Sequence, residues 1–76
     1  MNAKRRKMIS NAIDILSTLH DAVESIYEEE EEAFEGLPES FEGTDRYDAM
    51  EEAVSNLEDA VASIEEAIES LECAKE

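Results

Sequence analysis

A heptad repeat in the second half of the chain constrains its fold more than any other feature. Between residues 47 and 75, apolar residues recur at alternating spacings of three and four. Position a holds Tyr47, Val54, Val61 and Ile68, and position d holds Met50, Leu57, Ile64 and Leu71. This spacing places all eight residues on one stripe of an α-helix. It predicts a long helix over residues 45–75 that packs lengthwise on another helix.

The first half of the chain carries a wider apolar face and predicts a helix over residues 3–35. Its a and d positions hold Ile9, Ala12, Leu16, Leu19, Val23 and Ile26, and Met8, Ile15 and Ala22 follow one flank at position g. The other flank, at position e, holds Ile13, His20, Tyr27 and Phe34. A stripe with apolar flanks suits a helix with two or more neighbours. We therefore expect Ile13, His20, Tyr27 and Phe34 to form an interface with a further chain.

Residues 36–44 are the expected connection between the two helices. Gly36 suits the left-handed position just past a helix end, and Pro38 prevents the helix from continuing. Leu37 and Phe41 predict a short helical turn over the end of the core, and Thr44 or Asp45 is the expected N-cap of the second helix. The predicted fold is all-α, a single antiparallel helical-hairpin domain of residues 1–76.

A chain of 76 residues rarely builds a sufficient core without a disulfide, a metal or a second chain. One cysteine excludes an intrachain disulfide, and no zinc-ligand spacing occurs. We therefore expect a homo-oligomer, most simply a dimer that forms a four-helix bundle.

The formal net charge is −16, and its distribution is uneven. Four of the six basic residues form a basic cluster, Lys4, Arg5, Arg6 and Lys7. Beyond residue 7, Arg46 and Lys75 oppose all 22 acidic residues, a balance of −20. Such a surface repels nucleic acid and anionic lipid and attracts basic proteins. We expect the basic cluster to pair with Glu66, Glu69, Glu72 and Glu76 at the end of the second helix.

The candidate interaction surface is a column of glutamates at position e of the second helix. This acidic column consists of Glu51, Glu58, Glu65 and Glu72, and its acidic neighbours are Glu52, Asp59 and Glu66. All seven lie outside the apolar stripe. The five consecutive acids of residues 28–32 predict a solvated last turn of the first helix, and a partner-facing patch is the alternative.

Residues that could carry chemistry are few. His20 is the only histidine, and a lone histidine is a poor metal-ligand set, so packing is the favoured interpretation. Cys73 falls at an exposed heptad position and is the only cysteine, so we expect it to have no chemical role. No phosphate loop or nucleophile motif occurs. We expect no enzyme activity, cofactor or metal site, and the absence of a long apolar run predicts a cytoplasmic protein without a membrane span.

The start Asn2-Ala-Lys-Arg-Arg-Lys7, the bend Ala33-Phe-Glu-Gly-Leu-Pro-Glu-Ser40 and the stretch Tyr47-Asp-Ala-Met-Glu-Glu-Ala53 resemble a group of small acidic helical-hairpin proteins of phages and prophages of Gram-positive bacteria. The resemblance implies a mobile-element context, in which small acidic proteins often block host enzymes, including defence proteins that handle nucleic acid. The expected function is thus an inhibitory interaction protein that binds a basic host-protein surface. The alternatives are a structural homo-oligomeric helical module and a bundle that sequesters a small ligand.

Overall fold

The helical hairpin predicted from the heptads is confirmed. In a computed structural model that describes all residues from 1 to 76, helix α1 spans Ala3–Glu35 and helix α2 spans Asp45–Ala74. A 3-10 turn at Glu39–Phe41 lies in the connection, and there are no strands. The two helices pack side by side in an antiparallel pair that measures 59 × 15 × 13 Å. The molecule is therefore a rod in which almost every residue lies near the surface.

Side chains just ahead of each helix satisfy its first backbone N–H groups. Asn2 caps α1 by accepting a hydrogen bond from the Arg5 N–H at 2.9 Å. Thr44 caps α2 by accepting from the Tyr47 N–H at 3.2 Å. Of the two predicted caps for α2, the structure therefore selects Thr44, and Asp45 lies in the first helical turn, where its charge is favoured by the helix dipole.

The bend differs from the sequence prediction in which of its two glycines takes the left-handed conformation. Gly36 ends α1 with ordinary right-handed angles, φ −81° and ψ −3°. Gly43, not Gly36, takes the left-handed conformation, with φ 78°. After Gly36 the chain continues through the 3-10 turn. The left-handed conformation occurs at Gly43, just before the N-cap of α2, and glycine adopts it without steric cost.

Aromatic contacts join the two helices at the bend. The rings of Phe34 and Tyr47 lie 4.9 Å apart between centroids and are tilted by 50°. This geometry is one of the favoured arrangements of aromatic pairs. The Arg46 guanidinium lies 5.7 Å from the centroid of the Phe41 ring, which places the 3-10 turn against the start of α2.

The seam of α2 is the one that the heptads predict. All eight of its a and d residues are half-buried, from Tyr47 at the bend to Leu71 near the other end. Ala53 and Ala60, which precede a positions, are also half-buried. Their small side chains permit the close approach of α1.

The seam of α1 differs from the prediction. The residues turned towards α2 occupy positions a and e, and they are Ile9, Ile13, Leu16, His20, Val23, Tyr27, Glu30 and Phe34. Leu19 and Ile26, predicted to face α2 from position d, are 50% and 53% exposed. Both sets follow a three–four spacing, so periodicity alone does not choose between them. The e set carries Tyr27 and Phe34, and Phe34 has Tyr47 to pack against at the bend, so this set lies inside.

Only one residue of the hairpin is buried, Ile13, which is 8% exposed. Two helices side by side enclose a line of contact and not a volume, so the other seam residues remain half-buried. The hairpin by itself thus has the shortage of core that its length predicts.

Replacing Ile13 by alanine tests the rotation of α1. Removing a buried isoleucine to the Cβ typically costs about 2–5 kcal/mol of the free energy of unfolding, and Ile13→Val costs about 0.5–1.5 kcal/mol. The exposed control Ser25→Ala in the same helix should stay within about 0.5 kcal/mol of the parent. Urea unfolding followed by circular dichroism measures all three. An Ile13→Ala variant as stable as the control would contradict this placement.

Candidate functional site

The acidic column is exposed along the whole length of α2. Glu51, Glu58, Glu65 and Glu72 are all exposed, as are their neighbours Glu52, Asp59 and Glu66. Successive members of the column are seven residues apart, which is about 10.5 Å along the helix. No Lys or Arg side chain lies within 4.0 Å of a carboxylate anywhere in the structure, so His20, which contacts Glu65, is the only side chain that can compensate the charge of the column at that distance.

A groove lies between the acidic column and α1 near the middle of the hairpin. Its volume is about 390 Å³. Carboxylates from both helices line it, Glu24 and Glu28 from α1 and Glu58 and Glu65 from α2, together with the uncharged side chains of Tyr27, Val61 and Ala62. The groove thus combines an apolar floor with a rim of four acids. This combination complements a long cationic side chain, whose stem is apolar and whose end is charged.

The pKa of Tyr27 reflects the negative charge around this groove. Its hydroxyl donates a hydrogen bond to Glu31 Oε2 at 2.6 Å. This bond, desolvation of the ring and the charges of Glu31, Glu58 and Glu35 raise the pKa of Tyr27 to about 12. The phenol therefore stays neutral and acts as a hydrogen-bond donor throughout the physiological range.

His20 is the only cationic side chain that contacts the acidic column. Its Nε2 atom lies 2.9 Å from Glu65 Oε2, and its Nδ1 atom lies 3.2 Å from Asp21 Oδ1. The hydrogen bond to Glu65 and then that to Asp21 raise the pKa of His20 above its ordinary value of 6.5, against a smaller desolvation effect. Protonated His20 donates to both carboxylates and ties the middle of α1 to α2.

His20, Glu24 and Glu65 also form the one group of potential metal ligands. Their ligand atoms all lie within 4.8 Å of one another. His20 Nε2, however, already forms a hydrogen bond with Glu65, and a metal ion would have to displace the proton between them. We therefore interpret the group as an ion pair.

The four residues predicted to form an oligomer interface lie inside the hairpin. Ile13 is the buried residue of the seam, His20 binds Glu65, Tyr27 borders the acidic groove and Phe34 packs on Tyr47. The e flank therefore faces α2 and not a helix beyond the hairpin. The apolar side chains that α1 leaves exposed are on its other flank.

The basic cluster does not form the predicted ion pairs with the end of α2. The only side-chain hydrogen bond from the cluster to this end of the hairpin is one from Arg6 Nε to the carbonyl oxygen of Lys75, the residue that follows α2, at 3.2 Å. Lys75 Nζ in turn lies 3.5 Å from Ser10 Oγ. These bonds close the open end of the hairpin through neutral acceptors, and they leave the charges of the cluster available.

The sequence analysis did not identify the residues of α1 that line the groove. Glu24 and Glu28 belong to it because α1 is turned so that positions a and e face α2. The repeated pairing of His20 and Tyr27 with an acid four residues on, Glu24 and Glu31, is the local signal that could have indicated it. Cys73 is exposed and unpaired, as its heptad position predicts.

Comparison with known protein families, curated proteins and solved structures finds no match to this chain. Neither helix contains a stretch that is long and apolar enough to span a membrane. The chemistry of the surface is thus the basis for a functional assignment.

A pH titration of His20 tests the contact between the two helices. We expect its imidazole pKa to lie above 6.5, and to fall in the variant Glu65→Gln, where a neutral amide replaces the carboxylate. The raised pKa means that this ion pair stabilises the fold fully below about pH 6.5 and stops doing so as the pH rises through the higher, folded-state value. Histidine ring resonances in NMR spectra measure it. A pKa at or below 6.5 in the parent would contradict the contact.

Proposed function

We propose that this hairpin is a non-enzymatic interaction protein that binds a basic protein surface through the acidic column and the groove beside it. One observation carries the proposal. Four carboxylates from two helices surround a groove with an apolar floor, and no Lys or Arg side chain of the chain itself lies within 4.0 Å of any of them. A site with this composition is complementary to lysine and arginine side chains.

Binding would combine long-range attraction with local insertion. The summed field of −16 charges attracts a basic surface and accelerates the encounter. At contact, a lysine or arginine of the partner would lay its aliphatic stem along Tyr27 and Val61 and place its charge among Glu24, Glu58 and Glu65. The same field repels phosphate backbones, which argues against direct binding of nucleic acid.

The partner that fits this surface best is a protein whose basic surface normally holds nucleic acid. The acidic column repeats about every 10.5 Å, whereas phosphates of one DNA strand recur about every 3.4 Å along the axis, so the resemblance to DNA is in charge density and not point for point. The resemblance of the chain to phage and prophage hairpins makes a host defence protein the kind of target that we propose, with inhibition by occupation of its basic site.

The proposal includes self-association. A hairpin with one buried residue has little core of its own, and a homodimer arranged as a four-helix bundle would supply the missing burial. The acidic column is exposed and its like charges would repel a second column, so we place it outside that bundle.

Neutralising the acidic column should abolish or slow capture of the partner. The test variant replaces Glu51, Glu58, Glu65 and Glu72 with glutamine, and the control replaces the exposed Glu32, Glu35, Glu39 and Glu42, which lie outside the groove, in the same way. Both remove four charges, so they differ only in where the charge is lost. We expect immobilised parent and control to retain one stoichiometric protein from a Gram-positive host lysate, and the column variant to bind it at least about tenfold more weakly.

Raising the salt concentration should weaken the same complex. An increase from about 0.05 to 0.5 M shortens the Debye length from about 14 to about 4 Å. Binding that survives both the column variant and high salt would show that recognition is apolar and would overturn the proposal. Capture of no partner by a hairpin that still self-associates would favour the structural module instead.

A further inference from the structure

The large apolar side chains that remain exposed belong to α1 and the residues just before it, and those within the helix lie on one line. They are Met8, Ile15, Leu19 and Ile26 within the helix and Met1, which lies two residues before its first residue, and each is between 50% and 63% exposed. No large apolar residue of α2 is exposed to this degree. Scattered apolar residues are ordinary on a protein surface, but a continuous row of them marks an interaction site.

This row is a second heptad stripe, which we call the free stripe. It runs through Met1, Arg5, Met8, Ala12, Ile15, Leu19, Ala22, Ile26, Glu29 and Ala33. From Arg5 to Ala33 each member precedes by one position a residue on the side of α1 that faces α2, and one residue turns an α-helix by about 100°. The free stripe therefore lies about a right angle away from the seam. That is the direction in which a helix of a four-helix bundle meets its second neighbour.

The free stripe is symmetric about the level of Ser17. Ile15 and Leu19 lie equally far from Ser17, as do Ala12 and Ala22, Met8 and Ile26, Arg5 and Glu29, and Met1 and Ala33. Each pair joins two large apolar residues, two alanines or two opposite charges, except the outermost, which joins methionine and alanine. A surface with this property matches its own copy when the copy runs in the opposite direction.

We propose that a second copy of the chain occupies the free stripe, with the two α1 helices antiparallel and the two-fold axis at the level of Ser17. Ile15 of one copy then meets Leu19 of the other, Met8 meets Ile26, and Ala12 meets Ala22. The alanine layers allow the backbones to approach closely between the layers of larger residues. This inference deepens the self-association of the proposed function and is independent of binding to a basic partner.

Charge complementarity selects the antiparallel arrangement. In this register the exposed Arg5 faces the exposed Glu29 of the other copy, once at each end of the interface. The rest of the basic cluster comes to the level of the acidic run of residues 28–32. A parallel arrangement would instead place Arg5 opposite Arg5 and acidic run opposite acidic run. The register therefore accounts for two features that the hairpin leaves unexplained, cations at the start of a helix and five consecutive acids near its end.

The dimer would leave the acidic groove accessible. The acidic groove residues of α1, Glu24 and Glu28, follow seam residues by one position and so lie about 100° from the seam in the other direction. The free stripe and the groove thus occupy opposite edges of the hairpin. Each dimer presents two acidic surfaces related by the two-fold axis.

A charge exchange tests the register. By sedimentation equilibrium we expect the parent to be dimeric at micromolar concentration, and Arg5→Glu or Glu29→Arg alone to raise the dissociation constant of the dimer about tenfold or more, since each change introduces two repulsive contacts. The double variant Arg5→Glu/Glu29→Arg should restore the dimer. Arg46→Glu and Glu42→Arg, with the same charge changes in exposed residues off the stripe, should have little effect. A double variant as weak as the single ones would overturn the register.

Disulfide formation tests the direction of the second copy. In a Cys73→Ser background, Ala12→Cys mixed with Ala22→Cys should form an interchain disulfide on oxidation, whereas either variant alone should not, because its two cysteines lie about 15 Å apart along the axis. Ala12→Cys linked to itself would show a parallel dimer and overturn the proposal. A monomeric parent would also overturn it. So would a dimer that Leu19→Glu does not weaken and in which neither the mixed cysteine variants nor either variant alone forms an interchain disulfide. Thr18→Glu is the matched control for Leu19→Glu.

The outcomes separate this inference from binding to a basic protein. Dimers that fail to capture a partner would defeat the proposed target and leave the register standing. Conversely, an Arg5→Glu monomer that still captures the partner in a column-dependent way would show that the acidic surface acts without the dimer, while the loss of dimer would still support the register.

Discussion

Phe34 packs on Tyr47 where the two helices meet, and this contact fixes the rotation of α1 about its own axis. The features of the surface to which α1 contributes depend on that rotation. With this rotation, Ile13 is the one buried residue, His20 contacts Glu65, and Leu19 and Ile26 are exposed. If α1 were rotated about its axis by the angle of one residue, Tyr27 and Phe34 would be exposed to solvent. The apolar edge and the acidic edge of the hairpin would then largely exchange places.

The heptads of α2 allowed its helix and its seam to be predicted from the sequence, because only one of its faces is apolar. The end of α1 and the start of α2 followed from Gly36, Pro38 and Thr44, whose local preferences are strong. The seam of α1 did not follow, because two stripes on that helix share position a and have equal spacing. The choice between them depends on a long-range contact, Phe34 with Tyr47, that no local pattern encodes.

The acidic surface was predictable in part for the same reason. The acidic column on α2 lies beside a seam that the sequence defines, so its exposure follows from its heptad position. The contribution of Glu24 and Glu28 to the groove depends on the rotation of α1 and had to come from the structure. The expected ion pairs of the basic cluster did not form, because Arg6 and Lys75 reach neutral acceptors at the open end of the hairpin.

The exposed large apolar side chains all lie on the α1 side of the hairpin and none on α2. This confinement bears on how far assembly can proceed. Two copies that meet through one shared surface form a closed pair, and no equivalent surface remains for a third. If both helices carried an exposed apolar stripe, further copies could add one after another and form filaments. In the proposed dimer, the carboxylates of α2 on the outer surface would oppose further association by charge repulsion, so growth would stop at a defined and finite particle.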